Sequence, residues 1–128
     1  MLKLNQNEIL GAAITVLKER AIQAREDYSN AHEISRDSDE QNVLMASIGE
    51  YNKVTEACDK AIGPTKAGDS AVAKTAADEA DLSVSRADAY NTENLNLKHV
   101  NLNLKIASKN AVAIAIKALS NPSAQSEN

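Results

Sequence analysis

The chain is predicted to be all-α, an antiparallel helical bundle of four long helices with heptad-like seams, or of three if the last two fuse. Three observations carry that expectation. Alanine is abundant, with 22 copies among 128 residues, while Trp and Phe are missing and only Tyr28, Tyr51 and Tyr90 are aromatic. A sandwich or barrel would want β-branched and aromatic residues at alternate positions, whereas alanine favours helices whose backbones approach closely. Apolar residues recur at alternating steps of three and four, the spacing of a helical seam. Finally, Asn94-Leu95-Asn96-Leu97-Lys98-His99-Val100 is nearly repeated by Asn101-Leu102-Asn103-Leu104-Lys105-Ile106-Ala107. That recurrence of seven suits a helix; a strand over the same leucines would change phase at His99-Val100 and contain many asparagines, which strands avoid.

The first helix is announced by Asn5 as cap and Glu8 three residues on, a capping box, with Leu4 and Ile9 placed as a hydrophobic staple. Its seam runs through Leu10, Ile14, Leu17, Ala21, Ala24, Tyr28 and Ala31 to an end near residue 35. The polar run 35–40 then separates it from a second seam at Leu44, Ile48, Tyr51, Thr55, Cys58 and Ile62. That seam starts 34 residues after the first, where an unbroken heptad would need 35, so the phase slip favours a turn and an antiparallel hairpin. Ser38 with Gln41 reads as the second capping box, and Gly63-Pro64 as the stop.

Asp69 or Ser70 caps a third helix whose seam is Ala73, Ala77, Ala80, Val84 and Ala87. In phase it would next meet Asn91, Asn94 and Lys98, so a break is placed near 90–93. The fourth helix carries two apolar stripes roughly 160° apart. One is Leu97, Val100, Leu104, Ala107, Ala111, Ile114 and Ala118; the other is Leu95, His99, Leu102, Ile106, Lys109, Ala113 and Ile116. A helix on one side of a bundle needs a single such face. The second stripe therefore argues for a central helix or for an oligomer contact, and Leu95, His99, Leu102, Ile106 and Ile116 are the candidate interface. The domain is expected to span 1–120, with a flexible polar tail over 121–128.

Composition narrows the function classes. Net charge is -4, but residues 94–128 hold four basic side chains and one acidic, against ten and seventeen before them. Four lysines without interleaved aromatics are a poor nucleic-acid footprint, and no nucleic-acid partner is expected. The apolar part of the last helix is interrupted by lysines and falls short of the roughly 20 residues that span a bilayer, so no membrane span is expected. Glu8 before and Lys18-Glu19-Arg20 after the run 9–17 argue against a signal-peptide core. The single cysteine, Cys58, lies in an apolar seam and permits no intrachain disulfide, and the location expected is cytoplasmic.

His32 and His99 lack the Glu-x-x-His or paired spacing of bundle metal sites, and Asp37, Asp39 and Glu40 lack the glycine and distal glutamate of a calcium loop. No cofactor, no metal and no catalytic residues are expected. By elimination the chain reads as a non-catalytic protein-protein interaction module, an adaptor, inhibitor or chaperone-like factor. Its partner would be another protein, and it would form a homo-oligomer through its last helix. The alternative is a structural subunit of a filament or coat assembly.

Overall fold

The computed structural model describes residues 5–90 and 92–120. Helix α1 spans Gln6–Ile34 and opens as its sequence dictates. Asn5 Oδ1 accepts from the Glu8 backbone N–H at 2.8 Å, and the Asn5 amide donates to Glu8 Oε1 at 3.4 Å. Its predicted seam is buried from Leu10 through Tyr28, with Ala31 half-buried. The staple residue Leu4, position 91 of the predicted break and the tail 121–128 lie outside the described residues.

Helix α2 spans Ser38–Lys66, and both of its ends differ from the sequence expectation. The cap is Asp37 rather than Ser38: its carboxylate accepts from the backbone N–H of Asp39 at 2.9 Å and of Glu40 at 3.5 Å. A carboxylate suits the position better than a hydroxyl because it carries charge to the positive end of the helix dipole. Gln41 does reach back, but its amide donates to the Ser35 carbonyl at 2.7 Å, closing the α1–α2 turn. Gly63-Pro64 does not stop the helix, and Pro64 lies inside it. The φ of proline is already helical, so the helix continues at the loss of the one bond that an N–H at position 64 would give to the Lys60 carbonyl.

The stop is five residues later. Gly68 adopts φ 104°, and the Asp69 N–H donates to the Pro64 carbonyl at 2.9 Å while the Gly68 N–H donates to Thr65 at 3.0 Å. Those paired bonds are a Schellman ending, in which glycine supplies the left-handed conformation.

Helix α3, Ser70–Ala89, is capped by Asp69, whose side chain accepts from the Val72 N–H at 3.1 Å. Its predicted seam, Ala73, Ala77, Ala80, Val84 and Ala87, is buried throughout. Each buried methyl contributes about 0.8 kcal/mol, and the small side chains let neighbouring backbones come close. The break before the last helix is present: α4 spans Leu95–Ser120, with Asn94 accepting from the Leu97 N–H at 3.2 Å. Thr92 pins the connector to α2 by donating to Glu40 Oε1 at 3.0 Å.

Consecutive helices pack on one another and α4 packs back on α1, which closes an up-down-up-down bundle of four with one core. Helix α4 is therefore peripheral, not central. Its inner face, Leu97, Asn101, Leu104, Ser108, Ala111, Ala115 and Ala118, meets α1 and α3. No strand occurs among the described residues.

Candidate protein-docking surface

The second stripe of α4 has no covering in the monomer. Leu95 is 70% exposed, Leu102 48%, Ile106 59% and Ile116 51%, with His99, Lys109 and Ala113 exposed between them. The structure thus brings all five candidate interface residues onto one outward face, and each stays out of the core. The row is positioned by the inner face: Leu97 and Leu104 are locked among α1 and α3, so the residues on the opposite side of the cylinder have nowhere to point but outward.

Two flanks border the row. On the α3 side Lys109 Nζ stands 3.9 Å from Asp81 Oδ1, and Lys98 lines a cavity of about 180 Å³ with Asp88 and Tyr28. On the α1 side Asn103 and Asn110 line a cavity of about 370 Å³ with Val16, Arg20, Ile106 and Ala107. Val16 is itself exposed, so the apolar surface of α4 continues into the groove between α1 and α4. A separate groove between α2 and α3, about 430 Å³ and floored by Ala57, Ala61 and Ala76, exists because the α3 side chains are too small to fill it.

Inside the bundle several polar groups are tied to one another, while Ser47 Oγ and Thr65 Oγ1 are buried without a hydrogen-bond partner. The Tyr51 hydroxyl donates to Asn101 Oδ1 at 2.8 Å and the Tyr28 hydroxyl donates to the Leu97 carbonyl at 3.1 Å; the two rings meet edge to face at 4.9 Å between centroids. Burial pushes both phenols above their ordinary range. Glu50, buried on α2, accepts from the Tyr90 hydroxyl at 3.2 Å and lies 3.7 Å from Arg86, which fastens the end of α3 to α2. These groups hold helices in register and open onto no substrate-sized enclosed space.

Cys58 is fully buried, and burial raises its thiol to about 12, so it is protonated and unreactive at neutral pH. Among the described residues no three His, Cys, Asp or Glu side chains gather as metal ligands, and no helix is long and apolar enough to cross a membrane.

Sequence reasoning missed the buried Ser47, Glu50, Asn101 and Ser108. Its choices of Thr55 and Ala107 are buried, but Ile48 and Ile62, chosen for the seam of α2, and Val100 and Ile114, chosen for that of α4, are only half-buried. The observed faces are centred instead on Ser47, Val54 and Ala61, and on Asn101, Ser108 and Ala115. Choosing the more apolar neighbour at Ile48, Ile62, Val100 and Ile114 rotated both faces by a fraction of a turn. The available signal was the length of the alternative rows: Leu44, Ser47, Tyr51, Val54, Cys58, Ala61 and Thr65 also keep the seam spacing, and for one turn longer.

No family model matches the sequence, and no curated protein matches it. Among solved structures, a pectin methylesterase inhibitor from Arabidopsis thaliana superposes with a TM-score of 0.81 at 12% sequence identity, covering 90% of this chain and 79% of that one. At that identity the likeness shows the fold, a four-helix bundle found in a protein that inhibits an enzyme.

Proposed function

We propose that this protein is a non-catalytic binding module that docks on another protein through the outer face of α4, and that it acts as an inhibitor of an enzyme. The observation that carries the reading is the row Leu95, Leu102, Ile106 and Ile116, large aliphatic side chains left exposed by a protein whose core is built mostly of alanine. Aggregated apolar surface of this kind marks an interaction site. The fold neighbour supports the inhibitory form, since it is an inhibitor of an enzyme.

Self-association through the last helix would use the same face. It would set four lysines of α4 against four of a second copy, since 95–120 contains no Asp or Glu, and that repulsion favours a foreign partner.

The test is a photocrosslinking amino acid placed at position 102 in the source cells. An adduct with a defined protein is expected; if that protein is an enzyme, equimolar addition of this one should lower its activity, and Leu102→Lys with Ile116→Lys should restore it. A folded crosslinking variant that yields no adduct would overturn the reading, and an adduct partner whose activity is untouched would leave an adaptor rather than an inhibitor.

A further inference from the structure

We infer that the occupant of the outer face of α4 is an amphipathic helix of the partner protein that carries carboxylates on both sides of its apolar row. The inference rests on the docking reading above and names the chemistry of the partner.

The first support is periodicity. Leu95, His99, Leu102, Ile106, Lys109, Ala113 and Ile116 follow each other at steps of 4, 3, 4, 3, 4 and 3, unbroken over six intervals. That is the spacing by which one helix presents knobs and holes to a second helix. A lipid surface has no knobs and holes for that spacing to match. The 26 residues of α4 give a platform about 39 Å long. Beside Ile106 the cavity of about 370 Å³ between α1 and α4 is large enough to take one aliphatic or aromatic side chain of the partner as an anchor.

The second support is charge. In the heptad set by this row, Lys98, Lys105, Val112 and Leu119 occupy the flank on the α3 side, and Asn96, Asn103, Asn110 and Lys117 the flank on the α1 side. These are the positions whose charges choose a partner in paired helices. Helix α4 holds four lysines and no carboxylate, whereas the other 102 residues hold ten basic and eighteen acidic side chains. The positive charge is thus concentrated on the one face that is also apolar. Among the described residues only Lys109 of these four is paired, at 3.9 Å, and Lys98, Lys105 and Lys117 have no carboxylate partner. A helix with Glu on its flanks satisfies those three ammonium groups while its Leu or Ile residues cover the row; a basic helix, a nucleic-acid-like rod without apolar knobs, or a second α4 does one or neither.

The test uses two synthetic helices of about four heptads, identical in their Leu and Ile seam, one flanked by Glu and the other by Lys. Binding to the intact protein is followed by backbone amide shifts and titration. The Glu-flanked helix should bind, shift amides along 95–119 rather than those of the α2–α3 groove, and weaken as salt rises from about 50 mM to about 500 mM. The Lys-flanked helix should bind at least roughly tenfold more weakly, and Lys98→Glu with Lys105→Glu should reverse the preference. Lys98 is exposed and Lys105 half-buried, and unchanged circular dichroism would show that the variant is folded.

Equal binding of the two helices, binding at another face, or no binding overturns the inference. So does anionic vesicle binding that shifts the same amides when neither helix does, or a monomer-to-dimer mass change without peptide that Leu102→Lys abolishes. Loss of the inference in this way leaves the crosslinking test of the docking reading standing, because that test does not depend on partner chemistry.

Discussion

Tyr51 and Tyr28 illustrate how differently two phenols of one cluster are used. Tyr51 gives its hydroxyl proton to the side chain of Asn101, a buried group with no helical bond of its own to fall back on, whereas Tyr28 donates to the Leu97 carbonyl inside a helix. Tyr51→Phe leaves the Asn101 amide oxygen buried and unpaired and should cost about 1–3 kcal/mol, against about 1 kcal/mol for Tyr28→Phe. Urea denaturation of the two variants checks the order. Cys58 makes a prediction about pH. Its thiol is raised from 9.0 in the unfolded chain to about 12 in the bundle, so the unfolded state ionises first. The stability it confers is complete below about pH 9 and is lost as pH climbs toward 12, with Tyr28 and Tyr51 adding to the loss above about pH 10. Unfolding midpoints followed from about pH 8 to pH 11 should fall, and should fall less steeply in Cys58→Ala, which begins lower because it lacks the buried sulfur. A thiol reagent should leave Cys58 unmodified at neutral pH until the protein is unfolded.

At the scale of the element, the two glycines near the end of α2 separate by conformation. Gly68 sits at φ 104°, where a side chain is strained, although a Cβ there would meet only Asn7 Nδ2 at 3.5 Å. Gly68→Ala should therefore cost about 1–2 kcal/mol through the backbone alone. Gly63 is helical and exposed, so Gly63→Ala gains about 0.5–1 kcal/mol by lowering the entropy of the unfolded chain, but the ring of Pro64 directly after it crowds a Cβ on a helical residue, and the two effects should leave stability within about 0.5 kcal/mol of the parent. Thermal melts of the pair test the contrast. Gly63-Pro64 looks like a stop in the sequence and Gly68-Asp69 does not, because proline advertises a break while the φ of a glycine is set only by the chain around it. The caps of α1 and α3 were legible, since Asn5 and Asp69 stand directly before apolar periodicity; that of α2 was misplaced by one residue in a run where Asp37, Ser38 and Asp39 all qualify.

For the whole molecule the decisive feature is that α4 is packed on one side only. Leu102→Lys with Ile116→Lys should leave helicity and cooperative unfolding intact, with a change within about 0.5 kcal/mol, since both side chains are about half exposed and outside the core. Calorimetry of the double variant checks this. A large loss of stability would mean that the row belongs to the core after all. Leu104→Ala on the inner face is the contrast: that side chain is fully buried, and its removal should cost about 2–5 kcal/mol.

The sequence by itself determined the fold class and the seams of α1 and α3, because these depend on local periodicity and on capping residues adjacent in the chain; that the last two helices are separate was settled by the structure. It also determined that α4 carries two apolar rows. Which row faces inward, how far the buried faces of α2 and α4 are rotated toward Ser47, Asn101 and Ser108, and where α2 ends were decided by the tertiary structure. Ser47 Oγ is buried without a partner, but Asn101 and Ser108 are accommodated because a distant helix meets them, as Tyr51 meets Asn101 and Asp81 meets Ser108 at 3.2 Å. Such pairings join residues 50 and 27 positions apart, and helical spacing carries no record of them.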